Sequence, residues 1–240
     1  MKRIALLTLL ICIATTLAWS QKQKDMRIPL IGEQAISFTG ESTNGIINFP
    51  DDYGKKWKIL FSHPRDFTPV CSSELLELAS LQNDFKELNA ALVVVSTDNM
   101  SQHKSWKESL ETVNYQNMGP LKIDFPLVAD ENMQISQKYG MLHSTSGNTK
   151  DVRGVFIISP DNIVEAIYFY PMSVGRNMDE IKRTLIALQT TEANVVTPAN
   201  WEPGDDVILT YLTPEQEKSL GKAGSDIYQV AWYMTFKRMP

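Results

Sequence analysis

With 240 residues, 23 basic against 28 acidic side chains and a net charge of −5, the chain has length for one large domain, or one with a smaller appendage. Its Lys and Arg residues are scattered, which excludes the clustered basic face that nucleic-acid binding requires. Two cysteines exclude a disulfide framework, and three histidines without paired ligand spacing argue against a zinc or catalytic metal site.

Residues 1–20 read MKRIALLTLLICIATTLAWS: Lys2 and Arg3, an apolar run from Ile4 to Leu17, then Ala18 and Ser20 where a signal peptidase selects small residues. The run covers about 21 Å at 1.5 Å per residue, short of the ~30 Å bilayer core, so a cleaved secretory signal is expected rather than a membrane anchor. Ile11 before Cys12 does not resemble a lipidation site. The mature chain is expected to be exported, periplasmic or secreted, two charges more acidic, and left with Cys71 as its only cysteine. In an oxidising compartment a lone thiol is either well buried or reactive.

Gln21 to Arg27 is polar, and Pro29 to Asn48 reads as short strands with a tight turn at Asn44-Gly45. Trp57 to Ser62 is strand-like. After Pro64 and Pro69, the apolar spacing of Leu75, Leu76, Leu78, Ala79, Leu81, Phe85 and Leu88 predicts a helix over Ser72–Leu88, with Thr68 as a cap and Glu74 in its first turns. Ala90–Val95 is a short Val-rich run that predicts a buried, parallel strand. A helix over Ser96–Val113 follows, capped by Asp98. A strand at Phe125–Val128 and a helix from Asn132 to Tyr139, ended by Gly140, come next. Val155–Ile158 and Ile163–Tyr170 flank a turn, Ser159–Asn162, and predict an antiparallel hairpin; Met178–Gln189 is the last strong helix. The fold class is therefore α/β, a sheet with helices on both faces. Thr197–Asp206 is a turn-rich linker. The tail beyond it carries Tyr211, Tyr228, Trp232, Tyr233 and Phe236, is too short for an independent core, and is expected to bury its aromatics on the main domain or a second subunit.

The chemistry concentrates in HPRDFTPVCSSEL, residues 63–75. A cysteine in the first turn of a helix meets the positive end of the macrodipole and unpaired backbone N–H groups, and both favour thiolate over thiol. Thr68 adds a hydroxyl three residues earlier, Pro64 and Pro69 stiffen the turn and shield the sulfur, and His63 and Arg65 add polar or positive character.

This stretch closely resembles the peroxidatic-cysteine motif of the peroxiredoxins. DVRGVFIISPD at 151–161 resembles the family's arginine strand. FYPMSVGRNMDEIKRTLIALQ and VVTPANWEPGDDV resemble the one-cysteine, peroxiredoxin-six-like branch with its added C-terminal domain. The resemblance runs from about residue 28 to the end. It implies a thioredoxin-like fold with a central mixed sheet over 28–190 and a small C-terminal domain over 197–240. Cys71 would attack a hydrogen or organic hydroperoxide and become a sulfenic acid. Arg153 would stabilise the thiolate, Thr68 would bond the peroxide, Pro64 would pack over the sulfur, His63 would line the substrate pocket, and Glu74 would orient the arginine. With no resolving cysteine, an external thiol reductant is expected. No cofactor or metal is implied. A homodimer is implied, its C-terminal extension closing the partner's pocket.

One departure concerns the lipase-like Gly-x-Ser-x-Gly element with a preceding histidine of some animal relatives. Here the region reads FPDDYGKKWKILFSHP, with Lys55 and Lys56 in place of it and no histidine between Phe49 and Ser62. No phospholipase activity is expected by that route. Two rivals remain. A thiol-disulfide oxidoreductase would need Cys-x-x-Cys, which is absent; the other is a non-catalytic or single-turnover exported redox sensor or holdase. His103 and His143 read as surface or helix-face residues, and Trp57 and Trp106 as core. Asn99-Met100-Ser101 reads as a chance glycosylation match, and Asp51-Asp52 and Asp205-Asp206 as turn residues.

Overall fold

The computed structural model describes residues 28–144, 147, 149–191 and 194–239. The signal-peptide reading of residues 1–20 falls outside them. Among the described residues no helix is long and apolar enough to cross a membrane. The chain divides into two compact units, residues 1–176 and 177–240.

The first unit is built on a seven-stranded mixed sheet in the order β2-β1-β5-β4-β3-β6-β7. β1 (Phe38–Ser42) and β2 (Gly45–Phe49) form the edge hairpin. Its pairing runs to Ser42↔Gly45, so the loop is Thr43-Asn44, and Gly45, at φ +99°, takes the left-handed position that a side chain would strain. The expected Asn44-Gly45 turn is thus shifted back by one residue. A 3-10 turn, Asp51–Tyr53, leads to β3 (Trp57–Ser62), which pairs parallel with β4 (Ala90–Ser96); β4 pairs parallel with β5 (Leu127–Ala129). β6 (Arg153–Ile158) runs antiparallel to β3 and turns back into β7 (Val164–Tyr170).

The continuous apolar runs explain the central position of β3, β4 and β6: all six residues of β6 are buried, as are most of β3 and β4. Phe38, Phe49, Leu60, Val93, Val128, Tyr139 and Phe156 belong to one core cluster. The tyrosine hydroxyl in that cluster is satisfied by donating to the Ile36 carbonyl at 2.7 Å.

Among the described residues, three α-helices join the strands of this unit. α1 (Pro69–Glu87) links β3 to β4 and buries Leu75, Leu76, Leu78, Ala79 and Phe85. α2 (Met100–Leu110) follows β4. Its cap is Asn99, not Asp98: the Asn99 side chain accepts from the Gln102 amide at 2.9 Å, while the Gln102 side chain reaches back to the Asn99 amide. α3 (Gln134–Lys138) is a short helix closed by Gly140 at φ +63°. A Cβ there would meet Ile28 at 2.0 Å, so only glycine fits.

The second unit contains α4 (Met178–Thr190) and a four-stranded antiparallel sheet in the order β10-β11-β9-β8. Its strands are β8 (Val195–Val196), β9 (Val207–Leu209), β10 (Ile227–Ala231) and β11 (Met234–Lys237), with α5 (Pro214–Ser219) between β9 and β10. Trp201, Val207 and Ala187 form its small core, and the Trp201 indole donates to the Asp205 carbonyl at 3.0 Å. At the β10–β11 turn Trp232 and Tyr233 are 86% and 68% exposed.

Candidate active site

Cys71 is the third residue of α1. Thr68 precedes the helix in extended conformation, Pro69 occupies its first position, where a missing N–H costs nothing, and the first helical bond runs from the Ser72 amide to the Thr68 carbonyl at 2.9 Å. The amides of Val70 and Cys71 therefore precede the helical ladder. Thr68 uses its side chain differently from a cap: the hydroxyl donates to the Arg65 carbonyl at 2.9 Å and makes no cap bond. Its lone pairs remain available to accept. Pro64 is buried, whereas Phe67 is 55% exposed and sits at φ +55°.

The sulfur is wholly enclosed, and Arg153, the first residue of β6, places Nη1 3.3 Å from Sγ. The same nitrogen donates to Glu74 Oε2 at 2.7 Å, and Nε donates to the Met172 carbonyl at 3.0 Å. β6 is antiparallel to β3, so its first residues lie beside the end of β3. There Ser62 donates to the Val152 carbonyl at 2.7 Å and accepts from the Gly154 amide at 2.8 Å. Ser62 thereby grips the backbone on both sides of Arg153.

Glu74 is buried one turn beyond the cysteine and is held by two arginines. Arg176 binds it with Nε to Oε1 at 3.0 Å, Nη2 to Oε2 at 2.8 Å and its own amide to Oε1 at 2.8 Å. Arg176 Nη1 reaches the carbonyls of Ser62 and Gly154 at 2.9 and 2.8 Å, and its guanidinium lies over the Phe61 ring. Burial alone would raise the Glu74 carboxyl, but Arg176, and then Arg153, hold it below its ordinary value. Two guanidinium groups against one carboxylate leave one positive charge, which a Cys71 thiolate would balance. The sequence reading did not single out Arg176. A signal was present: a cation directly before a helix opposes the macrodipole and calls for a partner elsewhere.

A second buried network lies nearby in sequence. His63 and His103 both meet the Asp66 carboxylate, His63 Nε2 at 2.8 Å from Oδ1 and His103 Nδ1 at 2.8 Å from Oδ2, and all three side chains are buried. His103 Nε2 faces the Val128 carbonyl at 3.2 Å. His103 is thus a core residue, not a surface one; it shares the inward stripe of α2 with Met100, Trp106 and Leu110. Burial lowers His63 against the pull of Asp66, and its Nδ1 has no hydrogen-bond partner among the described residues. His63, Asp66 and His103 bring ligand atoms within 4.8 Å of one another and, among the described residues, are the group that could hold a metal. Separations of 2.8 Å are those of hydrogen bonds with protons between the heavy atoms. The geometry is accounted for without an ion. His143 is exposed, Trp106 is buried in the core and donates to Ser72 Oγ at 3.2 Å, and Trp57 is half-buried.

A solvent-shielded thiol at a helix N-terminus beside a buried guanidinium, on a thioredoxin-like sheet, defines a thiol-dependent peroxidase. Residues 31–167 match the AhpC/TSA family, and residues 187–219 match the C-terminal domain of 1-Cys peroxiredoxin. The chain belongs to the AhpC/TSA family, the peroxiredoxins. It is 44% identical to a peroxiredoxin of Methanosarcina mazei over 88% of this chain and 98% of that protein. With a peroxiredoxin of Thermotoga maritima it shares 38% identity over 89% of this chain and 99% of that protein. Among solved structures it resembles a cysteine-to-serine mutant of the peroxiredoxin 6 of Arenicola marina, with a TM-score of 0.77 and 34% identity over 88% and 98% of the two chains. The yeast mitochondrial 1-Cys peroxiredoxin, described with its thiol resolution via glutathione/thioredoxin systems, gives a TM-score of 0.76 and 33% identity over 88% and 99%.

Proposed function

We propose that Cys71 is the peroxidatic nucleophile of a one-cysteine cycle, and the distance of 3.3 Å from Arg153 Nη1 to its sulfur is the observation that carries the assignment. The thiolate attacks one peroxide oxygen, the O–O bond breaks, and the departing oxygen takes a proton: Cys-S⁻ + ROOH + H⁺ gives Cys-SOH + ROH. Arg153 stabilises the negative charge on sulfur and the charge that develops on the leaving oxygen. Thr68, whose hydroxyl proton is already spent on Arg65, accepts from the peroxide O–H. Pro64 keeps water from the sulfur, His63 supports the turn through Asp66, and Glu74 orients Arg153.

Cys71 is the free cysteine among the described residues. Its sulfenic acid is therefore returned to thiol by an external thiol donor, two equivalents giving a disulfide and water. The likeness to a relative described with glutathione and thioredoxin systems supports a donor of that chemistry. The peroxidase unit is assigned to 28–190 and the appendage to 197–240. The exposed Trp232 and Tyr233, together with Val230, support a homodimer in which this extension meets the partner. The charged start, apolar run and small residues of 1–20 support export to the periplasm or the medium.

Mixing the mature protein with one equivalent of hydrogen peroxide, with a sulfenic-acid trap and intact-mass readout, tests the assignment. Fast single oxidation at Cys71, abolished in Cys71→Ser and much slowed in Arg153→Ala, is expected. Oxidation no faster than that of a free cysteine would return the chain to the sensor or holdase reading. Loss of residues 1–20 from protein recovered outside the cytoplasm is expected from N-terminal sequencing; their retention there would refute cleavage.

A further inference from the structure

Asp151 lies two residues before Arg153 on the segment that enters β6. It is completely buried, pairs across an isolated antiparallel bridge with Leu142, and neither carboxylate oxygen has a hydrogen-bond partner among the described residues. A bare carboxylate so placed is among the most unfavourable arrangements a core can hold, whereas a neutral acid is tolerated.

The groups around it decide between the two forms. Asp130, just beyond β5, accepts from both the amide and the hydroxyl of Ser136, each at 2.7 Å to Oδ2. Asp98, beyond β4, accepts from the Asp66 amide and from Lys150, each at 2.6 Å. Lys150, the chain neighbour of Asp151, is thus paired with Asp98. From α3 comes Ser136, whose hydroxyl proton is spent on Asp130. Burial first, then the Asp130 and Asp98 charges, push Asp151 up to about 8 against the opposing pull of Ser136 and Lys150.

We infer that Asp151 is a positioning residue carried as the neutral acid, the form its enclosed and unpartnered site tolerates, and that this seats the entry of β6 and with it Arg153. The neighbouring bonds explain how the effect would reach the guanidinium. The Val152 amide donates to the Met141 carbonyl at 2.8 Å, and the Val152 carbonyl accepts from Ser62 at 2.7 Å. Ionisation of Asp151 would set an unpartnered negative charge near Asp130 and Asp98, directly before these bonds. Only the consequence at Cys71 rests on the peroxidase reading; the protonation does not.

The test combines three measurements on the full mature chain and on Asp151→Asn. A carboxyl whose folded value is raised contributes stability that is fully present below its unfolded value, near 3.8, and is lost as pH rises to about 8. In urea unfolding from pH 5 to 9, the wild-type folding constant should fall about tenfold per pH unit relative to Asp151→Asn up to pH ~8, then level off. The Asp151 carboxyl carbon, followed by NMR, should titrate near that same pH. Peroxide oxidation of Cys71 should slow several-fold above pH 8 in wild type and not in Asp151→Asn.

A flat stability ratio overturns the proposal, as does a carboxyl carbon already ionised at pH 6, which would mean a bound cation or another compensating donor. If Asp151→Asn fails to fold, the carbon titration of wild type decides alone. A pH-dependent ratio with parallel oxidation profiles refutes the link to Arg153. If wild type shows no fast oxidation at any pH, the peroxidase reading has failed, and the first two measurements still judge the proton on Asp151.

Discussion

Arg176→Ala removes the larger half of the clamp on Glu74 while leaving Cys71 and Arg153 in the chain. The variant deletes four bonds, two to the carboxylate from Nε and Nη2 and two to the Ser62 and Gly154 carbonyls from Nη1, and keeps only the backbone amide of residue 176 on Oε1. At an effective dielectric of ~20, unit charges ~4 Å apart attract by about 4 kcal/mol. Breaking a buried pair from one side is measured at about 3–5 kcal/mol. The two routes agree on a loss of about 4 kcal/mol, a large part of the ~5–15 kcal/mol that holds a folded protein. The charge balance shifts as well, because Glu74 and Arg153 alone sum to zero and leave a thiolate uncompensated. Oxidation of Cys71 should slow at least tenfold, about 1.4 kcal/mol in barrier. Urea unfolding followed by tryptophan fluorescence gives the first quantity, and stopped-flow oxidation by peroxide the second. Adding Glu74→Gln should cost less than it does in wild type, since Glu74 has by then lost one of its two arginine partners. A loss below about 1 kcal/mol for Arg176→Ala, or simple additivity in the double variant, would refute this account of the clamp.

Ser62→Ala should cost about 1 kcal/mol by leaving the Gly154 amide and the Val152 carbonyl only their mutual bond at 3.1 Å, and should slow Cys71 oxidation without touching the sulfur; unchanged rates would show that Arg153 is seated without it. Glu74 is depressed in the folded state, so its contribution is present above its ordinary value of 4.5 and is lost as pH falls below it. Acid unfolding of Glu74→Gln should therefore be shallower than that of wild type in that range, and superimposable curves would contradict the clamp. Asn99 spends its amide oxygen on the α2 cap, and Met100 beside it is buried. Asn99→Ala should lower stability by about 1 kcal/mol, and intact mass should show no glycan even from a glycosylating host. Trp232→Ser should shift the mass measured by light scattering from dimer to monomer, and a dimer retained at low micromolar concentration would place the interface elsewhere.

The strands of the first unit and the helix bearing Cys71 were legible because their signals are local, whereas the four strands of the second unit were not predicted. The Val-rich run at Ala90–Val95 and the apolar period beyond Cys71 both appear where predicted, as β4 and α1. The cap of α2 was misplaced by one residue, although Asn99-x-x-Gln102 carries the reciprocal capping pattern and Asp98 does not. His103 read as a surface or helix-face residue, and the structure puts it on the buried face of α2. Its place on the stripe with Met100, Trp106 and Leu110 is a helical period that pointed inward. Arg176 and Asp151 were illegible for a different reason. Arg176 meets Glu74 across 102 residues of chain, and the environment of Asp151 is assembled from β4, β5 and α3. Such contacts exist only once the sheet order is set; the cation before α4 signals that Arg176 needs a partner, but no local pattern says which.

The enclosure of Cys71 imposes an order on the cycle. A hydroperoxide is small enough to reach an enclosed sulfur through side-chain motion, whereas an external thiol must approach the sulfenic sulfur in line, with its own bulk behind it. Reduction by this route is expected to require the first turn of α1 to open. Thr68 makes no side-chain cap, and the first helical bond is the one from Ser72. Phe67, an exposed aromatic at φ +55°, stores about 1–3 kcal/mol of backbone strain that opening would release. Further along α1, Leu75, Leu76, Leu78 and Phe85 are fixed in the core, so unwinding stops within about a turn. While the turn is closed, Arg153 and Glu74 hold the geometry that favours attack on peroxide. Once it opens, the sulfur leaves that charge and meets the reductant. The same segment thus serves both half-reactions, and the longer the sulfenic acid waits in the closed form, the greater its exposure to a second peroxide and to overoxidation.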